Sequence, residues 1–320
     1  MRARCTNSDN GPAAVIGQGH TLLPILQTLG ILFLLAAAPG AGATSNDRSV
    51  NESRPASPEG RVSVEMISGT LDVSGWNEDR VEVTGTLDRR FTLTVETAGD
   101  LVTVKVELPK KKHLHLHDAV CDLRVRIPSR GSLTTQAVSA EAKVTGISGA
   151  IEVESDSGGV TIFGESKWVR AQVVSGDIGI TGAGGRISAE AVSGSVTVQS
   201  PGGEIEGTTV SGRVTVRGGP FERVTMEAVS GVIEFEGSLT PDAEVDISNH
   251  SGTVEFALKG AEAGEFDVST FSGDIRSEFG GNSHRTSKYA LGEEYHQTVG
   301  SGGPRISIDA FSGSVRLRKL

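Results

Sequence analysis

Residues 157–216 read SGGVTIFGESKWVRAQVV SGDIGITGAGGRISAEAV SGSVTVQSPGGEIEGTTV SGRVTV: three units of 18 residues and the start of a fourth, each opening on Ser-Gly. An apolar-x-apolar pair follows each Ser-Gly (Val160/Ile162, Ile178/Ile180, Val196/Val198, Val214/Val216), then a glycine-bearing turn, then a second alternating segment such as 169–173 or 187–191. Alternation with period two marks a strand with one buried face. A single two-strand unit cannot bury that face, whereas units stacked in register bury a continuous column. The spacing therefore predicts a parallel β-solenoid in which Val160, Ile178, Val196 and Val214 share one interior row. Val144, Ile162, Ile180, Val198 and Val216 share the next. The second strand pairs a large residue with small ones, as in Ile187/Ala189/Ala191, which implies closely spaced sheets. At about 4.8 Å per layer, some nine layers give a stack of roughly 45 Å.

Outward from this core, Ser-Gly recurs at 230, 251, 272 and 312 with longer steps, the last of which reads as two layers with an insertion. Ser139-Ala140 is a weaker copy and Ser68-Gly69 an outlying one, while Ser148-Gly149 and Ser301-Gly302 fall out of register. Glycine suits a tight corner because it tolerates positive φ, and serine hydrogen-bonds nearby backbone. The motif is thus explained without a catalytic serine, and no Gly-x-Ser-x-Gly elbow is present. The final strand, Ser314–Leu320, is expected at an exposed edge blunted by Arg316, Arg318 and Lys319.

The chain has 320 residues, 42 of them glycine, with 4% aromatics and a formal net charge of -10. So few aromatics point to a thin core of Val, Ile, Leu and Ala. The negative charge excludes a nucleic-acid-binding face. Arg2 and Arg4 precede an uncharged apolar run, Leu22–Ala38, and the small residues Ala41-Gly42-Ala43. That order is a secretory signal over residues 1–43 and implies an exported protein, periplasmic or on the cell surface. Uncleaved, the charge-free residues 21–46 would instead anchor the chain in a membrane, although Pro24 and Pro39 interrupt a helix. Once residues 1–43 are removed, only Cys121 of the two cysteines remains, so the mature chain has no intrachain disulfide.

Residues 44–60 are polar and aperiodic and read as a disordered linker. Residues 61–133 alternate around hairpin signals such as Ala98-Gly99-Asp100 and read as an irregular first part of the solenoid plus antiparallel strands, together an N-terminal β cap. Residues 134–320 form the solenoid, with a side loop at 282–303 that holds both tyrosines and two histidines.

Gly75-Trp76 followed by Val81-x-Val83, Leu123-x-Val125-x-Ile127-Pro128, the Ser-Gly ladder, and the endings Thr270-Phe271-Ser272-Gly273 and Ala310-Phe311-Ser312-Gly313 occur in that order. This ordered set resembles the bacterial putative-adhesin β-strand-repeat family of cell-envelope proteins, over nearly all of residues 60–320. The resemblance implies an exported, right-handed parallel β-solenoid and brings no catalytic residues.

The sequence Lys110-Lys111-Lys112-His113-Leu114-His115-Leu116-His117-Asp118 places three imidazoles on one side of a strand. His113, His115, His117 and Asp118, with Cys121 nearby, could approach Zn²⁺ or Cu²⁺. The favoured reading is an amphipathic edge strand, since the spacing is not a closed structural-zinc pattern. The residue after each Ser-Gly varies, so no column of acids stacks there, and Glu204, Glu206, Glu222, Glu227, Glu234 and Glu236 read as solvated faces. The sequence thus points to a non-catalytic envelope scaffold or adhesin-like module whose partner is an envelope protein or glycan. A carbohydrate-active β-helix enzyme and a periplasmic metal-binding protein are the alternatives.

Overall fold

The computed structural model describes residues 47–108, 121–260, 263–285 and 291–320, and among these it contains strands and no helix. His113, His115, His117 and Asp118, the signal segment 1–43 and Tyr289 lie outside the described residues. The first strands are β1 (Asp47–Pro55), β2 (Arg61–Trp76), β3 (Arg80–Asp88), β4 (Thr92–Ala98), β5 (Leu101–Glu107), β6 (Cys121–Pro128) and β7 (Ser132–Thr145). The regular units follow as β8 (Ile151–Ser157), β9 (Val160–Phe163), β10 (Trp168–Ser175), β11 (Ile178–Thr181), β12 (Arg186–Ser193), β13 (Val196–Ser200) and the long β14 (Gly203–Leu258). The chain ends with β15 (Gly264–Ser272), β16 (Ile275–Ser277), β17 (His284–Arg285), β18 (Glu293–Val299) and β19 (Arg305–Lys319).

The two interior rows are present as expected. Val160, Ile178, Val196 and Val214 pair in parallel register, as do Val144, Ile162, Ile180, Val198 and Val216. All nine side chains are buried. The second row opposite, Ile187/Ala189/Ala191 on Ile205/Gly207/Thr209, is equally in register and closed to solvent. Small residues face large ones there, so the two sheets approach closely with little aromatic filling. Toward the C-terminal end the interior changes. Phe235 stacks on Phe256 at 4.7 Å and meets Phe221 edge-on at 5.9 Å, and Phe266 packs on Phe279 at 4.4 Å. The scarce aromatics are concentrated in this half, so the thin aliphatic core holds only for the regular middle.

Main-chain bonds tie the corners together. Gly158 N–H donates to Ser175 O at 3.0 Å, and Gly176 and Gly194 repeat the bond to Ser193 O and Ser211 O at 3.1 Å. At Gly194 φ is +143°, and a Cβ there would collide with the carbonyl oxygen of Gly176. Both facts demand glycine.

Four expectations are corrected. First, residues 47–55 are not a disordered linker: β1 pairs antiparallel with β3 along its whole length. Only Val50 of this strand is buried, so no apolar period betrays it. Second, Ser68-Gly69, outlying in the sequence, is not outlying in the stack. β2 pairs with β7 in parallel register from Arg61↔Ser132 to Ser74↔Thr145, which sets Ser68-Gly69 directly on Ser139-Ala140. Outside β2 lies a further layer made by β5 and β6, and β4, β3 and β1 add antiparallel strands to it. Third, the step from Ser272 to Ser312 spans adjacent layers, because these serines pair directly. The 282–303 side loop is instead structured at 293–299, where β18 runs antiparallel to β15 and buries Tyr295. Fourth, the terminal strand is not an edge. β19 lies between β14 on one side and β15 and β16 on the other. A strand paired on both sides satisfies two rows of backbone groups, which an edge position leaves open.

Candidate functional site

Each corner turns the chain between two sheets, and the turn displaces one residue outward. In β10, Val173 is buried while Val174, next to Ser175, is exposed. The paired register confirms the jog: Val173↔Ala191 is followed by Ser193 opposite Ser175, and the valines between them stay outside the ladder. Repetition of this corner builds a surface row. Val138, Val174, Val192, Val210 and Val229 each leave about half of their surface in solvent. Ile67 heads the row half-buried, and Asp156 interrupts it. At the C-terminal end the row turns aromatic: His250, Phe311 and Phe271 stack with centroids 4.7 and 4.8 Å apart and planes within 8° and 3°.

Two residues before each member from Ile67 to Val210, a second outward row runs parallel to the first: Glu65, Gln136, Glu154, Gln172, Glu190 and Thr208, with Lys105 paired to Glu65 beyond its N-terminal end. Its members bond from layer to layer. The Gln172 amide donates to Glu190 at 2.9 Å, and Gln136 reaches Glu154 at 3.5 Å. The Lys105 ammonium contacts Glu65 at 3.0 Å and Glu107 at 3.3 Å. Its pKa is raised, first by the hydrogen bond to Glu65 and then by that to Glu107. Together the rows from Ile67 to Val210, with Thr92, Lys105, Glu107 and Leu108, line a groove of about 1090 Å³.

Three glutamates outside the groove pair with cations of neighbouring layers. Glu204 faces Arg186 at 3.5 Å, Glu236 lies within 3.7 Å of Arg217 and 3.1 Å of Lys259, and Glu234 pairs with Arg213 and Arg217. Glu234 is thus a cross-layer anchor as well as a solvated group. Asp246 is the exception among the acids: its pKa is raised, by burial and by neighbouring Glu244. Cys121, paired with Leu87 at the start of β6, is buried. Burial, with a smaller contribution from Asp122, pushes its thiol up to about 12, so it is a closed hydrophobe and not a nucleophile. Trp76 is clamped between Arg80 and Arg126 at 4.9 and 4.5 Å, and its indole N–H donates to Arg80 O, which makes it part of the cap.

The valine row was absent from the sequence expectations, yet its signal is there. Val173-Val174, Ala191-Val192 and Ala137-Val138 put two apolar residues side by side at the end of an alternating strand. Only one of such a pair can face inward.

A model of the Toastrack DUF4097 family matches residues 59–318. A search of curated proteins returns no match. Among solved structures, the chain is similar to a putative adhesin from Bacteroides fragilis (10% identity, 85% of this chain and 97% of that chain, TM-score 0.37). It is also similar to a putative cell adhesion protein from Clostridium sporogenes (9%, 85% and 100%, 0.25). A third is a putative lipid binding protein from Parabacteroides distasonis (12%, 86% and 97%, 0.32).

Proposed function

The chain belongs to the Toastrack DUF4097 family, and on that scaffold we propose a non-catalytic binding function in the bacterial cell envelope, exercised at the corner groove. The observation that carries this reading is the paired surface rows. One row offers the half-exposed Val138, Val174, Val192 and Val210, interrupted by Asp156, and the other an acid or amide at every layer from Glu65 to Glu190. A catalytic centre needs one unique place where acid, base and substrate converge. Translational repetition supplies the reverse, many equivalent weak contacts suited to an extended partner. Covering a half-exposed valine is worth roughly 1 kcal/mol. Several together therefore offset a useful part of the roughly 4–15 kcal/mol cost of association. Export is supported by the charged, apolar and small-residue order of residues 1–43.

The test is sedimentation of the purified chain with washed bacterial envelope fractions. Saturable co-sedimentation is expected, and it should be lost when Val138, Val174, Val192 and Val210 are together replaced by lysine. Sedimentation that is unsaturable, or identical for the lysine variant, would overturn the reading.

A further inference from the structure

The groove has a period and a charge, and both restrict what lies in it. From Ile67 to Val210 the corner row takes five steps of about 4.8 Å, roughly 24 Å in all. An extended strand laid along it repeats its side chains every ~6.6–6.8 Å and falls out of step at once. An α-helix presents one side-chain position per turn of about 5.4 Å, only some 0.6 Å from the layer spacing. About four and a half turns, roughly 16 residues, span the row. The flank is acidic: Glu65, Glu107, Glu154, Asp156 and Glu190 line the groove; Lys105, the single cation among its described lining, is shared by Glu65 and Glu107, and Arg170 beside the groove reaches Glu190 at 3.7 Å, so the acids outnumber the cations that face them. An anionic lipid surface meets repulsion there, whereas a cationic partner meets complementary charge.

We propose that the groove docks a cationic amphipathic α-helix, its apolar stripe on the valine row and its basic flank on the Glu/Gln row. This rests on the groove being the binding face. Asp156 occupies the third corner of the row, where its neighbours are Val138 and Val174. It selects a basic residue within the helix's apolar stripe at the matching turn, which distinguishes this surface from a uniform greasy strip.

The probe is a fluorescein-labelled 18-residue Leu/Lys helix, titrated with the full chain and followed by fluorescence polarisation. Saturable binding with Kd near ~10 μM is expected. It should weaken at least ~tenfold for Glu154→Gln/Glu190→Gln and for Val174→Ser/Val192→Ser, and also between about 0.05 and 0.3 M salt. These four side chains lie on the surface, and unchanged circular dichroism and melting confirm that the variants fold. A lysine placed in the stripe opposite Asp156 should tighten binding to the parent and not to Asp156→Val. Equal binding by the variants, by a scrambled Leu/Lys peptide or by a Leu/Glu helix overturns the proposal. Should the Leu/Lys helix fail while envelope sedimentation still depends on the valine row, the helix is wrong and the binding face stands. Loss of that dependence removes the binding face itself.

Discussion

The two ends of the stack solve one problem with different materials. At the N-terminal end, the outermost layer of β5 and β6 is covered by β4 and β3, with β1 beyond. Arginines of β1 reach the main chain of this cover: Arg54 donates to Val95 O at 3.2 Å and Arg48 to Phe91 O at 3.4 Å. At the C-terminal end, the outermost layer of β15 and β16 is covered by β18. There a buried phenol does the fastening: Tyr295 donates to Gly280 O at 2.8 Å and accepts from Ser277 Oγ at 2.8 Å. In both places the layer nearest the chain terminus, β2 or β19, is tucked one position inward and paired on both sides. A parallel stack has two open edges by construction, and antiparallel return strands close them. The regular middle needs no such device, because every layer there is covered by the next.

This contrast sets an order of expected effects. The largest belongs to the aromatic half. Phe235→Ala removes the ring between Phe221 and Phe256, and a loss of about 3–5 kcal/mol in chemical denaturation is expected. Close behind is the corner glycine. Gly194→Ala forces a Cβ against the Gly176 carbonyl and should cost about 3 kcal/mol, while Gly99→Asn, in the β4–β5 hairpin with open space around it, should cost under ~1 kcal/mol. Equal costs would mean that the corners are not stacked as described. Next, Tyr295→Phe leaves the C-terminal cover in place without its two hydrogen bonds. About 1–2 kcal/mol is expected, with faster hydrogen exchange in 265–277 and none of that change in 61–76.

A smaller, pH-dependent effect comes from Cys121. Its folded pKa of about 12 exceeds the ordinary thiol value of 9.0, so the unfolded chain loses its proton first. Stability should fall as pH rises through 9 toward 12, and Cys121→Ala should flatten that slope. The native thiol should resist a disulfide reagent at pH ~8 until denaturant is added. Smallest is Arg54→Ala at the N-terminal cover, under ~1 kcal/mol, read out as faster exchange in β4 with the C-terminal end unchanged.

How much of this was legible depended on how each contact repeats. The interior rows could be read because Val160, Ile178, Val196 and Val214 recur at a fixed step. The outward valines could have been read from the doubled apolar residues at each strand end. β1 could not, since its backbone pairs while almost nothing of its side chains is buried. Neither could the place of β19, because Arg316 and Arg318 alternate with Val315 and Leu317 in the same way at an edge or inside the stack.

Chain order alone, through period-two alternation and the 18-residue step, was enough to establish stacked parallel strands with glycine corners, since local sterics and burial act on residues near in sequence. Which layer lies beside which at the two ends, and the joining of separate corners into one acidic, valine-lined groove, came only with the folded molecule. Those outcomes depend on which backbone edges remain to be satisfied after the middle has stacked, a condition no single segment carries.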